Sequence, residues 1–203
     1  RVKSVSFAVR AGEVVGIAGV SGNGQSELLS LLGGILKPSK GSFTIAGAQS
    51  HEVSLSHPAD PERVRNFGLG HIPEDRHKMG LINRFEAKEA FILGYHRRPQ
   101  YNKGWLQDKE AIRQDCQAKM EKWDVRPPSP EHKTANLSGG NQQKPVTARE
   151  VEQDPDVLLV GQPTRGVDIG AIEFIHKQIV ALRDAGTAVL LVSVELDEIM
   201  SLS

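Results

Sequence analysis

The period of the apolar positions changes several times along the chain, and each change predicts an element. Arg1 to Val9 alternates, with Val5, Phe7 and Val9 on one face, which predicts a strand. Glu13 to Ala18 is a short apolar run ending in a glycine-rich turn, and Ser26 to Leu32 then carries leucine at helical spacing. Gly33 and Gly34 end that helix, Lys37 to Gly41 turns, and Ser42 to Ile45 reads as a strand. Ala46 to Asn66 is polar, with Pro58 and Pro61, and predicts a connection plus a short helix. Glu86 to Trp123 is helical in pattern, through Ala90, Ile92 and Leu93 and then Ile112, Cys116 and Met120, with a loop around Pro99 to Gly104. Trp105 and Trp123 are expected to pack this helical block. Pro127, Pro128 and Pro130 mark a linker. A helix (Gly139 to Glu152), a buried strand (Val157 to Val160), a helix (Ala171 to Ala185) and a strand (Ala188 to Val192) follow.

This alternation predicts an α/β fold, a parallel sheet with helices on its faces, interrupted by an inserted helical lobe. The opening strand reads as already under way, and Asp197 to Met200 reads as a helix without a cap, so the chain is expected to be a piece of a longer polypeptide.

Composition narrows the function. With 203 residues there is room for one sizeable core and a smaller lobe. Lysine plus arginine and aspartate plus glutamate balance at 25 each, and few aromatics interleave with basic residues, which argues against a nucleic-acid partner. Cys116 is the single cysteine and forms no internal disulfide, in keeping with a reducing compartment. No apolar run approaches the roughly 20 residues of a membrane span, and the seven histidines lack zinc-ligand spacing.

The chemistry centres on "GVSGNGQS", Gly19 to Ser26. A glycine loop between a strand and a helix binds phosphate through backbone N–H groups and the positive helix end. The spacing is that of G-x-x-x-x-G-K-[ST], yet Gln25 stands at the lysine position. Alone, this octapeptide does not separate a nucleotide site from an ordinary glycine turn. A second stretch, "LSGGNQQK" (Leu137 to Lys144), places Ser138 as an N-cap with Gly139 and Gly140 at the helix start. Alone, that is a capped helix after a polar loop. Pro145 within that helix, at a cost of about 3 kcal/mol, implies a kink or a short helix.

Together, and in this order, the two stretches resemble the phosphate loop and signature motif of the ATP-binding-cassette (ABC) ATPases. "DVLLVGQPTRGVD", Asp156 to Asp168, resembles that family's Walker B strand and D-loop, and "HIPEDRHKMGL", His71 to Leu81, its Q-loop region, with Glu74 at the glutamine position. The likeness spans the chain and is nearest to the carboxy-terminal cassette of double-cassette sugar and nucleoside importers, with the purine-nucleoside branch favoured.

The resemblance implies a P-loop NTPase with a RecA-like core and an N-terminal β portion. Residues 1–81 would carry the P-loop and Q-loop, residues 82–136 the helical lobe, and residues 137–203 the signature and the rest of the core. It implies ATP bound by Gly19, Ser21, Gly22, Asn23, Gly24, Gln25, Ser26, Glu27 and Glu74, with Mg²⁺ on Ser26. The family's adenine-stacking aromatic would lie before Arg1. The lysine, Walker B aspartate, catalytic glutamate and switch histidine map onto Gln25, Gly161, Gln162 and Val194, all replaced. Removing a general base commonly costs about 10²–10⁴-fold in rate, so this site is expected to hydrolyse ATP poorly. Ser138, Gly139 and Gly140 remain intact and would act in trans on a partner cassette. Implied partners are that second cassette, transmembrane permease subunits docked through the lobe and the Arg76, His77 and Lys78 cluster, and indirectly a solute-binding protein. The implied place is the cytoplasmic face of the cell membrane. A non-enzymatic nucleotide-sensing or interaction module is the alternative.

Overall fold

A computed structural model describes residues 2, 4–20, 22–47 and 49–203. The first strand, β1 (Val14–Ala18), leads into α1 (Gln25–Leu32). A hairpin of β2 (Ser42–Ala46) and β3 (Ser50–Ser54) follows, then α2 (Pro61–Asn66) and β4 (Leu69–Ile72). The lobe contains α3 (Ala87–Phe91), the two-residue strands β5 (Asn102–Lys103) and β6 (Leu106–Gln107), and α4 (Lys109–Lys122). The chain ends with α5 (Gly139–Val151), β7 (Val157–Gly161), α6 (Ile169–Asp184), β8 (Ala188–Ser193) and α7 (Leu196–Leu202).

The core sheet runs β1-β8-β7-β4, all parallel, so β8 separates the strand entering the glycine loop from β7. The parallel core sheet is as expected from the sequence, which gives no strand order. Strand periodicity divides the core. Leu158, Val160, Val189 and Leu191 face Ile175, Ile179 and Ile199, whereas Leu159, Leu190 and Val192 face Leu29, Val64 and the hairpin residues Ile45 and Val53. Gly16 lets α7 lie against β1, because a Cβ there would come within 2.6 Å of Ile199.

Several expectations need correction. Among the described residues, positions 4–10 form no strand despite their alternation. Val5 and Phe7 are exposed, and no ladder partner pairs with them. The polar stretch from Ala46 holds β3, since pairing with β2 gives a polar segment its hydrogen bonds. β4 is also unforeseen: four residues containing Gly70 and His71 are buried between α5 and β7, too few to show a period. Trp105 does not pack the lobe. It is fully exposed at the β5–β6 turn, whereas Trp123 is buried and donates to Glu152 at 2.8 Å.

A buried polar network joins these parts. Arg149 and Glu150, both on α5, pair at 3.1 Å. Arg149 donates to the carbonyls of Gly80 (2.6 Å) and Ala90 (3.3 Å). Glu150 accepts from the Tyr95 hydroxyl (2.6 Å) and the His71 backbone N–H (3.2 Å). The His71 ring is packed under Gly33, and its Nε2 is buried with no partner. Burial first, and the nearby Arg65 and Arg149 charges, hold His71 down at about 4 against the opposing pull of Glu150.

An unfolded histidine takes its proton near pH 6.5, whereas the folded one does so only near pH 4. Between these values the unfolded chain binds more protons, so this contribution to stability is full above pH 6.5 and lost as pH falls toward 4. Urea unfolding at pH 7 and pH 4.5 is expected to show a loss on the order of 2–3 kcal/mol from this group. His71→Gln should flatten the dependence in that window. Parallel decline in both proteins would assign it to other groups.

Candidate functional site

The loop between β1 and α1 has the backbone its glycines permit. Gly22 and Gly24 sit at φ +92° and +103°, which a Cβ would strain. Gly24 is the N-cap of α1 and offers no side-chain acceptor, so the first amides of the helix remain directed at the loop. Gln25 folds back over Gly19, where any Cβ would overlap its amide nitrogen, and its Oε1 is buried without a hydrogen-bond partner. Ser26 and Asn23 are exposed, and Glu27 lies in the first turn of α1. Ser21 lies outside the described residues.

Beside this loop is a cleft of about 240 Å³ lined by Gly19, Gln25, Ser26, Glu74, Gln162, Arg165 and Val194. Its walls follow the ends of β1, β4, β7 and β8, so the cleft sits at the carboxyl edge of the parallel sheet. It adjoins a larger cavity, about 710 Å³, between the loop after β7 and α7.

The replaced positions interlock. A Cβ at Gly161 would meet Glu74 Cγ at 2.7 Å and Leu29 Cδ1 at 2.8 Å, so Glu74 fills the volume a side chain at 161 would need. Gln162 adopts φ +47°, the left-handed region that is costly for a residue with a Cβ. Its N–H donates to the Val192 carbonyl at 2.8 Å, and its Oε1 accepts from the Val194 N–H at 3.4 Å. The end of β7 and the turn after β8 are thereby tied together.

Ser138, Gly139 and Gly140 lie elsewhere and do not line the cleft. Ser138 caps α5, accepting from the Asn141 N–H at 3.4 Å and from its side-chain amide at 2.9 Å. A Cβ at Gly139 would meet the Gly166 carbonyl oxygen at 2.5 Å, and one at Gly140 would meet Asp168 Oδ2 at 2.7 Å. These glycines let the loop after β7 rest on α5. The helix runs through Pro145 to Val151 and is not shortened there. Proline has no N–H, so one rung of the helical ladder is lost.

The cluster Arg76, His77 and Lys78 forms a single π-helical turn, Arg76–Gly80, capped by Asp75, which accepts from the His77 (2.9 Å) and Lys78 (3.1 Å) N–H groups. These backbone bonds, that of Lys78 foremost, hold the Asp75 carboxyl below its usual range. His77 and Lys78 are exposed. Arg76 instead turns inward, donating to the carbonyls of Arg165 (2.7 Å) and Gly166 (3.2 Å) and to Gln142 at 3.4 Å. The structure therefore gathers Gly19, Gln25, Ser26, Glu74, Gln162 and Val194 in one place and leaves the signature residues apart. Sequence reasoning did not single out Arg165. The only available signal was a cation inside "QPTRGVD".

The profile of the family described as "ABC transporter" matches residues 2–165. The chain belongs to this family. The cassette is 45% identical over all of its length to the guanosine import ATP-binding protein NupO of Bacillus subtilis. It is 42% identical to the nucleoside import ATP-binding protein NupA of Lactococcus lactis subsp. cremoris, again across the whole chain. It spans only 38% of the first relative and 39% of the second. The dimeric bacterial ABC transporter cassette MJ0796 superposes with a TM-score of 0.74 at 22% identity, over 98% of this chain and 82% of that one. At that identity the likeness establishes the fold. The importer relatives also include putative ribose/galactose/methyl galactoside import proteins, such as that of Geobacillus kaustophilus at 37% identity. No helix among the described residues is long and apolar enough to cross a membrane.

The overlap at Gly161 makes a measurable claim. Gly161→Ala should destabilise the cassette by about 1–3 kcal/mol through overpacking, lowering the melting temperature by several degrees. Glu74→Ala in the same chain should relieve part of that loss. Independent, additive effects in the double variant would show that the two positions do not share one volume.

Proposed function

We propose that the chain is the ATP-binding part of an ABC importer for nucleosides or simple sugars, and within it the carboxy-terminal cassette of a double-cassette polypeptide. Its own nucleotide site is degenerate, and its signature motif completes the site of the partner cassette. The single observation carrying this reading is that the four replaced positions are neighbours: Gln25, Gln162 and Val194 line one cleft, and Gly161 is packed against Glu74 beside it. Losses gathered in one site impair one active centre, while Ser138, Gly139 and Gly140 stand apart from it and are intact.

The residues divide the work accordingly. The amides at the start of α1, with Gly22 and Gly24, cradle phosphate oxygens. Gln25 brings no charge, and Gln162 orients neighbouring groups without accepting a proton from water. Val194 contributes only its backbone N–H, already engaged by Gln162. Ser26 and Glu74 offer oxygen ligands in the same cleft, so the donor set suits Mg²⁺, which when bound would neutralise phosphate charge. Gly161 adds no ligand. Hydrolysis at this site is accordingly slow, whereas binding is retained.

Residues 1–81 and 137–203 form the nucleotide-binding core in this reading, with residues 82–136 as the lobe. The lobe and the π-helical turn would face transmembrane permease subunits at the cytoplasmic side of the membrane, with a solute-binding protein acting through them. The neighbouring names support import of nucleosides or sugars.

The test is ATP turnover by the full-length protein assembled with its permease. Ser138→Arg should reduce it by at least about 100-fold, on the scale of losing transition-state charge stabilisation, while Gln25→Ala should leave most of it. The opposite ranking overturns the division of labour. Full turnover in both variants would favour a sensing module that takes no part in hydrolysis.

A further inference from the structure

Among the described residues lining the cleft there is one side-chain cation, and it does not come from the glycine loop. We propose that Arg165 supplies the positive charge for the terminal phosphate that Gln25 cannot, an inference that rests on the nucleotide-binding reading above. Two arginines meet beside the cleft, and their circumstances differ. Arg76 is committed to the protein, with its guanidinium divided among the carbonyls of Arg165 and Gly166 and the side chain of Gln142. Arg165 has a fixed backbone: its N–H donates to the Gln162 carbonyl at 3.1 Å, and its own carbonyl receives Arg76 at 2.7 Å. Its side chain is exposed, lines the cleft, and among the described residues is in no ion pair or hydrogen bond, although the Asp75 carboxylate and the Arg76 guanidinium both feel its charge. A pinned backbone carrying an uncommitted guanidinium is poised to meet an anion.

The remaining groups say which anion. Glu74 is the carboxylate among the lining residues, Gln25 and Gln162 are neutral donors and acceptors, and Ser26 is a hydroxyl. Without Arg165 that set carries no side-chain cation to offset a polyphosphate. Gln25 cannot change this, since its amide nitrogen is folded over Gly19 and its carbonyl oxygen is buried without a partner. Arg165 lines both this cleft and the adjoining cavity together with Gln162 and Val194, on the loop after β7 and not on the glycine loop, so in this proposal its charge meets the phosphate that the glycine loop does not hold. A planar guanidinium there suits a terminal phosphoryl group, which offers several acceptor oxygens.

The experiment is calorimetric titration of the full-length protein with AMPPNP and, separately, with ADP, both with Mg²⁺. Arg165→Ala should weaken AMPPNP at this cassette by at least about tenfold, as expected for a charge-assisted hydrogen bond, and ADP by less than about threefold. Arg165→Lys should keep most of the affinity. Gln25→Lys added to Arg165→Ala should restore AMPPNP binding, because both cations would serve one phosphate. Unchanged AMPPNP affinity in Arg165→Ala, equal weakening of both nucleotides, or no rescue by Gln25→Lys would overturn the inference while leaving the nucleotide site standing. Failure of the unaltered cassette to bind either nucleotide would overturn the underlying reading itself.

Discussion

The Arg149–Glu150 pair on α5 is the contact through which the cassette's parts are fixed relative to one another. Both side chains are out of water, at 2% and 0% exposure, so each depends on its partners for every hydrogen bond. Breaking such a pair from one side costs about 3–5 kcal/mol, because the other charge is left buried and unmatched. Its remaining bonds reach the strand before the Q-loop region, the π-helical turn and the first helix of the lobe. The helix that Ser138 caps thus also holds β4, which leads toward Glu74, and the start of the lobe.

That arrangement explains how a site with so many replacements keeps its shape. The cleft is not built around its reactive groups. Its walls are strand ends, and they are held by ladder hydrogen bonds and apolar packing that never required a lysine or an aspartate. Glu74 occupies the volume left at Gly161, and Gln162 caps the turn at Val194. Gln25, Gly161, Gln162 and Val194 pack with Glu74 as a consistent set, with the scaffold intact.

Strong local signals were legible in the sequence. β7 and β8 are apolar runs, β8 up to its last residue Ser193, and α6 repeats apolar residues at helical spacing, so the pattern placed them within a residue or two. Ser138 was readable as a cap because a short hydroxyl before two glycines has few other uses at a helix start. What failed depended on partners distant in sequence. β3 and β4 become strands only against β2 and β7, and Trp105 is stranded at a tight turn that local pattern does not reveal. Within the site, family resemblance supplied Gln25, Gln162 and Val194 by position. Arg165 has no such signal: it shares the cleft with Gly19, Gln25, Ser26 and Glu74, which lie far earlier in the chain, and local pattern does not bring them together.

The missing side chains at Gly139 and Gly140 have a mechanical consequence. The carbonyl of Gly166 and the carboxylate of Asp168 sit where those side chains would begin, so the loop after β7 lies almost without clearance on the first turn of α5. Two surfaces in such contact cannot slide past each other without lifting apart. The first turn of α5 and the loop bearing Arg165 are therefore seated directly on one another, so a displacement of one is expected to press on the other. A side chain at position 139 or 140 would have to lift that loop, and with it the Arg165 end of the cleft.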